Sequence, residues 1–409
     1  MKDYESKVLS VPYPQPDAYG SLSMPVYNTA AFEFKDAKSM ENAFLGRSLS
    51  PAYSRISNPT VMYLENRVRA VTNSASVTAL NTGMAAITYS LMAVAAQGKN
   101  IVISKQLFGN TISFIRDTLG EFGVEVRFAD LLDIDNVEGN FDENTVAVFF
   151  EIISNPQMSV VDIKAIAEIA HRHDVPVIVD STIVPFSRFH ARDFGADIEV
   201  VSSTKYISGG ATGLGGLLID YGQFDWAKSH SPALKRRASK VGRMAFTARV
   251  KTELITNLGA LMTPQAAYME TLGLETLDIR FERQSSTALW LARELSKVKE
   301  IRNVNYTGLE SNRFYDISLR QFGSLPGAML TIDLDTEEHA LRFINNLKLI
   351  RRATNLFDNK SLAIHPATTI FALFTPEELK AMDVRLTTVR LSIGLEGKED
   401  LVNDILSSI

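Results

Sequence analysis

Residues 145–180 read TVAVFFEIISNPQMSVVDIKAIAEIAHRHDVPVIVD, and the apolar period changes twice within them. TVAVFFEII is a near-continuous apolar run, as expected of a strand buried on both faces. DIKAIAEIAHRHD then places Ile163, Ile166, Ala167 and Ala170 at i, i+3, i+4 and i+7, one apolar helix face, with Asp162 available as its cap. VPVIVD is a second buried run. Strand, helix and strand in that order predict a crossover between two parallel strands. The alternation extends outward on both sides: SVTAL precedes GMAAITYSLMAVAA upstream, NIVIS and VEVRFAD follow, and DIEVVS lies downstream. The expectation is an α/β fold with a mostly parallel central sheet and helices on both faces.

The flanks read differently. Up to residue 59 the chain holds few periodic elements and many turn formers, as in VPYPQPDAYGSLSMP and GRSLSPAYSRISNPT, which suggests an arm that packs on something else. After residue 255 come helical runs such as HALRFINNLKLIRRA and β-like segments such as GAMLTIDL and TTVRLSIGLE. Residues 256–409 are therefore expected to form a smaller C-terminal α/β domain beside a core domain of residues 60–255.

With 409 residues, 45% hydrophobic and 22% charged, the chain can bury a sizeable core. Its 42 basic and 47 acidic side chains leave a net charge of −5, which points away from nucleic acid or an anionic membrane and toward small molecules. Without cysteine there can be no disulfide, thiolate metal site or cysteine nucleophile. The first twenty residues lack the apolar centre of a signal peptide, and no stretch reaches the ~20 apolar residues of a membrane span. A cytoplasmic protein is expected.

In an open parallel sheet, ligands bind at the carboxyl ends of the strands. Asp180 closes VPVIVD, Ser202 and Lys205 follow DIEVV within SSTKYISGG, and NTG follows SVTAL to open a helix near Gly83. These positions offer a carboxylate, an amine, hydroxyls and free helix N–H groups. Pyridoxal phosphate asks for that set: a lysine for the Schiff base, an acid on the pyridine nitrogen, and hydroxyls and N–H groups for the phosphate. Other readings of nearby motifs are weaker. The glycines of GGATGLGG follow the lysine rather than the first strand of a βαβ unit, against a dinucleotide loop. The histidines of HRHD end a helix, where the dipole favours them, so no metal is expected. The basic run LKRRASKVGR reads as a solvated loop.

The same residues carry a resemblance. The chain resembles the cystathionine γ-synthase and O-acetylhomoserine sulfhydrylase family, fold-type I pyridoxal-phosphate enzymes of cysteine and methionine metabolism, from about residue 20 to its end. The resemblance implies roles. YSRISNPT implies Tyr53 and Arg55 reaching a neighbouring subunit's cofactor phosphate, with Tyr53 also a catalytic candidate for proton handling. NTGMAAI implies phosphate contacts from the backbone of Gly83 and Met84, and SSTKYISGG implies Ser202 and Thr204 on the phosphate with Lys205 as the Schiff-base lysine. VIVDST implies Asp180 on the ring nitrogen, EIISNP implies Asn155 on the ring's phenolic oxygen, and VRLSIGLE implies Arg390 on the substrate carboxylate, helped by Asn355. A homo-oligomer follows, at least a dimer, and the family suggests a tetramer.

Departures from the family pattern bear on the reaction. KQLFGNT has Phe108 where many relatives have a tyrosine, so the ring can stack but offers no hydroxyl. A thiolate leaving group, with thiol pKa ~8.5, benefits from a proton donor, whereas a carboxylate, pKa ~4, leaves unaided. NLFDNKSLAIHPATT resembles the sulfhydrylase version, with Asn355 where synthases and lyases tend to have serine. Ile153 and Phe371 stand where the family usually has proline and histidine. The reading is γ-replacement on an O-acylhomoserine, with O-acetylhomoserine as donor and sulfide or a small thiol as acceptor, giving homocysteine or methionine. Methionine γ-lyase and cystathionine γ-synthase or γ-lyase are the alternatives.

Overall fold

The computed structural model of the chain describes residues 3–12, 19–48 and 50–409, so the reading of residues 13–18 as turn formers lies outside the described residues. Its larger sheet has seven strands in the order β1-β7-β6-β5-β4-β2-β3. These are β1 (Ser76–Leu80), β2 (Asn100–Ser104), β3 (Glu125–Ala129), β4 (Thr145–Glu151), β5 (Val177–Asp180), β6 (Ile198–Val201) and β7 (Gly216–Asp220). Six run in one direction, and β7 opposes its neighbours β1 and β6. Strand β7 was not anticipated, because its short run GLLID stands directly behind a glycine-rich segment that reads as a loop.

Alternate side chains of each central strand enter different cores, which is why the strands read as continuous apolar runs. On one face Ile101, Ile103, Phe149, Ile178 and Val200 meet the helices Gly83–Val94 and Pro232–Val241. On the other Val102, Val148, Phe150, Val177 and Val179 meet the helices Pro59–Thr72 and Ile163–Arg172. The crossover helix forms as its spacing predicts, and the Asp162 side chain accepts from Ala165 N. Such a cap is worth about 1 kcal/mol.

The second sheet has five strands, in the order β10-β11-β12-β9-β8. These are β8 (Asn303–Asn305), β9 (Met329–Asp333), β10 (Arg351–Arg352), β11 (Leu362–Ile364) and β12 (Thr388–Ser392). One apolar core is continuous from the large sheet through the helices Pro264–Glu275 and Leu277–Leu295 to this sheet.

Two local expectations are corrected. HALRFINNLKLIRRA is helical only within Glu337–Asn346, because the amides of Lys348, Leu349 and Ile350 turn out of the helix to bond the Asp404 carboxylate, at 2.9–3.0 Å. The basic run LKRRASKVGR is not a loop but most of the helix Pro232–Val241, which Pro232 starts and Leu234 and Ala238 anchor at i, i+4. Before Pro59 the described residues include two short helices, Tyr4–Leu9 and Ala37–Phe44, and Tyr19 and Leu22 are almost fully exposed.

Candidate active site

The parallel strands all end at one edge, and there a cleft of about 1150 Å³ opens between the two sheets. The loop after β6 carries Ser202, Thr204 and Lys205 into it; Asp180 ends β5, and Gly83 and Met84 start the helix after β1. Arg390 comes from β12 and Asn355 from the turn after β10. The loop holding Lys205 is pinned from behind. Tyr206 is buried flat on Phe357, ring centroids 4.1 Å apart, and the Arg280 guanidinium donates to the carbonyls of Tyr206 at 2.6 Å and Gly273 at 2.7 Å. Gly209 has φ +71°, and a Cβ there would lie 2.7 Å from the Arg280 guanidinium, so the turn after the lysine requires glycine.

Helix Gly83–Val94 begins against this loop. A Cβ on Gly83 would come within 2.7 Å of the Ser202 side chain, so only glycine allows the approach. The Thr82 hydroxyl caps Ala85 N at 3.0 Å, and the N–H groups of Gly83 and Met84 are left at the cleft wall. Ser202 N donates to the Thr182 hydroxyl at 2.9 Å, and Thr182 N donates to the Asp180 carboxylate at 2.9 Å, which ties the hydroxyl loop to the acid. The Thr204 hydroxyl instead pairs with the backbone of Gly215, donating to its carbonyl at 3.2 Å and accepting from its N–H at 3.0 Å.

Charge in the cleft is unevenly paired. Burial lowers Lys205 to about 8, the positive Arg390 pushes the same way, and Asp180 opposes them. Lys205 Nζ donates to Asn355 Oδ1 at 2.9 Å. Arg390 is 2% exposed and burial lowers it to about 9; among the described residues its bonds go only to neutral oxygens, those of Asn155 (3.0 Å), Thr354 (3.1 Å) and Asn355 (3.3 Å). A buried guanidinium with no acidic partner is a place for an anion. Burial raises Asp180, and the Thr182 contacts and Lys205 pull it back. Beside it in register on β4, Glu151 accepts from Phe108 N at 2.6 Å and Asn155 N at 3.3 Å, and burial with the Asp180 charge raises it to about 8.

A family model described as Cys/Met metabolism PLP-dependent enzyme matches residues 6–409. The chain belongs to that family. It is 33% identical to the O-acetyl-L-homoserine sulfhydrylase of Corynebacterium glutamicum, over 94% of this chain and 91% of that one. It is also 33% identical to the L-methionine gamma-lyase of Pseudomonas putida, over 97% and 94%. A Campylobacter jejuni protein assigned as an O-acetylhomoserine (thiol)-lyase superposes with a TM-score of 0.93 at 34% identity, over 100% of this chain and 99% of that one. It was solved with N'-pyridoxyl-lysine-5'-monophosphate at its own position 205.

As a member of the Cys/Met metabolism family the protein is a PLP-dependent enzyme, and the cleft fits the cofactor. It presents an amine of lowered basicity, a partly buried carboxyl suited to a cationic ring nitrogen, and helix-start N–H groups beside the Ser202 hydroxyl for a phosphate. The structure gathers Gly83, Met84, Phe108, Asn155, Asp180, Ser202, Thr204, Lys205, Asn355 and Arg390 around this one space. Tyr53 and Arg55 do not line it. Tyr53 is 43% exposed, Arg55 lies over its ring at 5.5 Å, and the Arg55 guanidinium donates to the Thr256 carbonyl. The histidines of HRHD bond carboxylates instead: His171 meets Asp197 at 2.8 Å and His173 meets Glu138 at 3.0 Å. Phe371 is buried in the core and Ile153 lines the cleft. Sequence reasoning missed Glu151 and Thr182. Both stand beside residues it selected, directly at or after a strand end, and that position was the available signal.

Proposed function

We propose that the protein exchanges the acetyl group of O-acetylhomoserine for sulfide, releasing acetate and homocysteine, with a small thiol as an alternative acceptor that yields methionine. Pyridoxal phosphate, when bound, supplies an electron sink for charge developing at the substrate's Cα. Lys205 would hold it, with Asp180 at the ring nitrogen, Asn155 at the phenolic oxygen, Phe108 on the ring face, and Gly83, Met84, Ser202 and Thr204 at the phosphate. Arg390 orients the substrate by its carboxylate, the acidic partner its neutral contacts leave open. Lys205, at about 8, is roughly one-tenth neutral at pH 7 and can take the Cα proton and return it. The Cγ–O bond breaks with its electron pair leaving on acetate, and hydrosulfide forms the new Cγ–S bond.

The observation that carries the choice of reaction is Phe108: the cleft-lining ring has no hydroxyl, which suits a leaving group that needs no proton. At the outer end of the cleft, Arg116 is already engaged by Asp117 at 2.6 Å and Glu378 at 3.2 Å, which supports a neutral acetyl over a succinyl or phosphoryl donor. Tyr53 and Arg55 serve a neighbouring subunit's site, so the working unit is a homo-oligomer, at least a dimer, and we read residues 1–59 as the arm that makes this contact. The core and C-terminal domains are taken as residues 60–255 and 256–409, and the setting as cytoplasmic; among the described residues no helix is long and apolar enough to cross a membrane. Comparing kcat/KM for O-acetyl-, O-succinyl- and O-phosphohomoserine and for methionine, each with sulfide, tests the reading. O-acetylhomoserine should lead by at least about tenfold; faster turnover of methionine would favour the γ-lyase reading that the Pseudomonas relative represents.

A further inference from the structure

The turn of residues 355–359 docks on the turn that carries Lys205 through alternate residues. Asn355 Oδ1 accepts from Lys205 Nζ at 2.9 Å, Phe357 stacks on Tyr206, and Asn359 N donates to the Gly209 carbonyl at 2.6 Å. Between them Asp358 points the other way, its side chain 4% exposed. One carboxylate oxygen accepts from Lys360 N at 3.0 Å and Lys360 Nζ at 2.9 Å; the other accepts from Asn355 Nδ2 at 3.5 Å. Gln284 Nε2 fixes the same residue by its carbonyl, at 2.7 Å.

The donor and acceptor inventory makes this chain directional. A lysine ammonium only donates and an ionised carboxylate only accepts, while an amide has one face of each kind. With Lys205 on one side and Asp358 on the other, the Asn355 amide has one orientation that satisfies both. Were Asp358 to offer a donor, the amide would turn and present N–H groups to the lysine.

We propose that Asp358 is a positioning residue for the reactive lysine: acting through Asn355, it keeps an amide oxygen on Lys205 Nζ and so sets the basicity of that amine. The proposal rests on the reading of Lys205 as the reacting amine. A hydrogen bond accepted from the ammonium favours the charged form, so losing it lowers the lysine's pKa. Asp180 and Arg390 also act on Lys205, and both stay in place in the variants below.

Asp358→Asn is isosteric. The two Lys360 donors claim its amide oxygen, so its NH2 faces Asn355 and turns that amide over. The midpoint of Lys205 is read in apoprotein from the pH profile of its modification by trinitrobenzenesulfonate, with the Lys205 peptide quantified by mass spectrometry. D358N should lower the midpoint by about half to one pH unit, raising the modification rate near neutral pH about three- to fivefold. In an Asn355→Ala background the same substitution should shift nothing further. A wild-type midpoint in D358N overturns the proposal by itself. A shift that persists undiminished without Asn355 also overturns it, since the effect is then one of charge through space. The measurement needs neither cofactor nor substrate, so its failure is distinct from failure of the sulfhydrylase reading.

Discussion

Phe108 bears on the reaction through an atom it lacks. Its backbone N–H is fixed on Glu151, so a tyrosine there would keep the ring in place and add a hydroxyl at the cleft. Phe108→Tyr should leave O-acetylhomoserine turnover within about threefold and raise cleavage of methionine or cystathionine by roughly tenfold or more, the usual scale of a placed proton donor; steady-state rates on both substrates check this. Lys205, Asp180 and Gly83 were legible in the sequence because each lies at or just beyond the end of a buried strand, where an open sheet places its ligands. Glu151 and Thr182 were not, because a glutamate or threonine beside a strand end gains meaning only from its partners in space. Phe108 N lies 43 residues before the Glu151 carboxylate, and Ser202 N lies 20 residues after the Thr182 hydroxyl. Asp358 is harder still, since its effect passes through a second side chain.

At the scale of elements, the helix Pro264–Glu275 carries an acid that the proposed chemistry does not use. Glu270 is fully buried, and burial raises it to about 8, opposed by the Ser203 hydroxyl. Its folded value exceeds its ordinary value, so its contribution to stability is present below pH ~4.5 and lost as pH rises through 8. Glu151 and Glu199, raised to about 8 and about 7, act in the same direction. Glu270→Gln should therefore flatten the fall of apoprotein Tm between pH 5 and 8.5 by roughly 2–4 °C without abolishing it; parallel melting curves at the two pH values read the difference. The periodic elements themselves were readable where the apolar pattern was strong, as in the helix Ile163–Arg172 and strands β4 and β5. Reading failed where tertiary partners overrode the pattern, as when the Asp404 carboxylate ends the helical course of residues 337–352, and where the element was short, as in β7.

For the whole molecule, the positions of Tyr53 and Arg55 have a consequence for assembly. Both are exposed and neither lines the cleft of its own chain, while Tyr19 and Leu22 leave apolar surface on the same arm. If the arm completes a neighbour's site, Lys205→Ala and Arg55→Ala variants should each be nearly inactive alone. Unfolded and refolded together, they should regain about a quarter of wild-type activity, because half the dimers are mixed and one of their two sites is intact. No recovery would place Arg55 in service of its own chain. In the sequence the arm was legible as a poverty of periodic pattern, and a role for Tyr53 and Arg55 in a neighbour's site came only through the family resemblance, since one chain's own core carries no mark of such a contact.

The most direct test of the proposed sulfur transfer is the fate of O-acetylhomoserine itself. With the protein carrying pyridoxal phosphate and sulfide present in excess, homocysteine and acetate should appear in equal amounts and account for nearly all donor consumed. An α-keto acid and ammonia as the main products under the same conditions would contradict it and identify an eliminating enzyme.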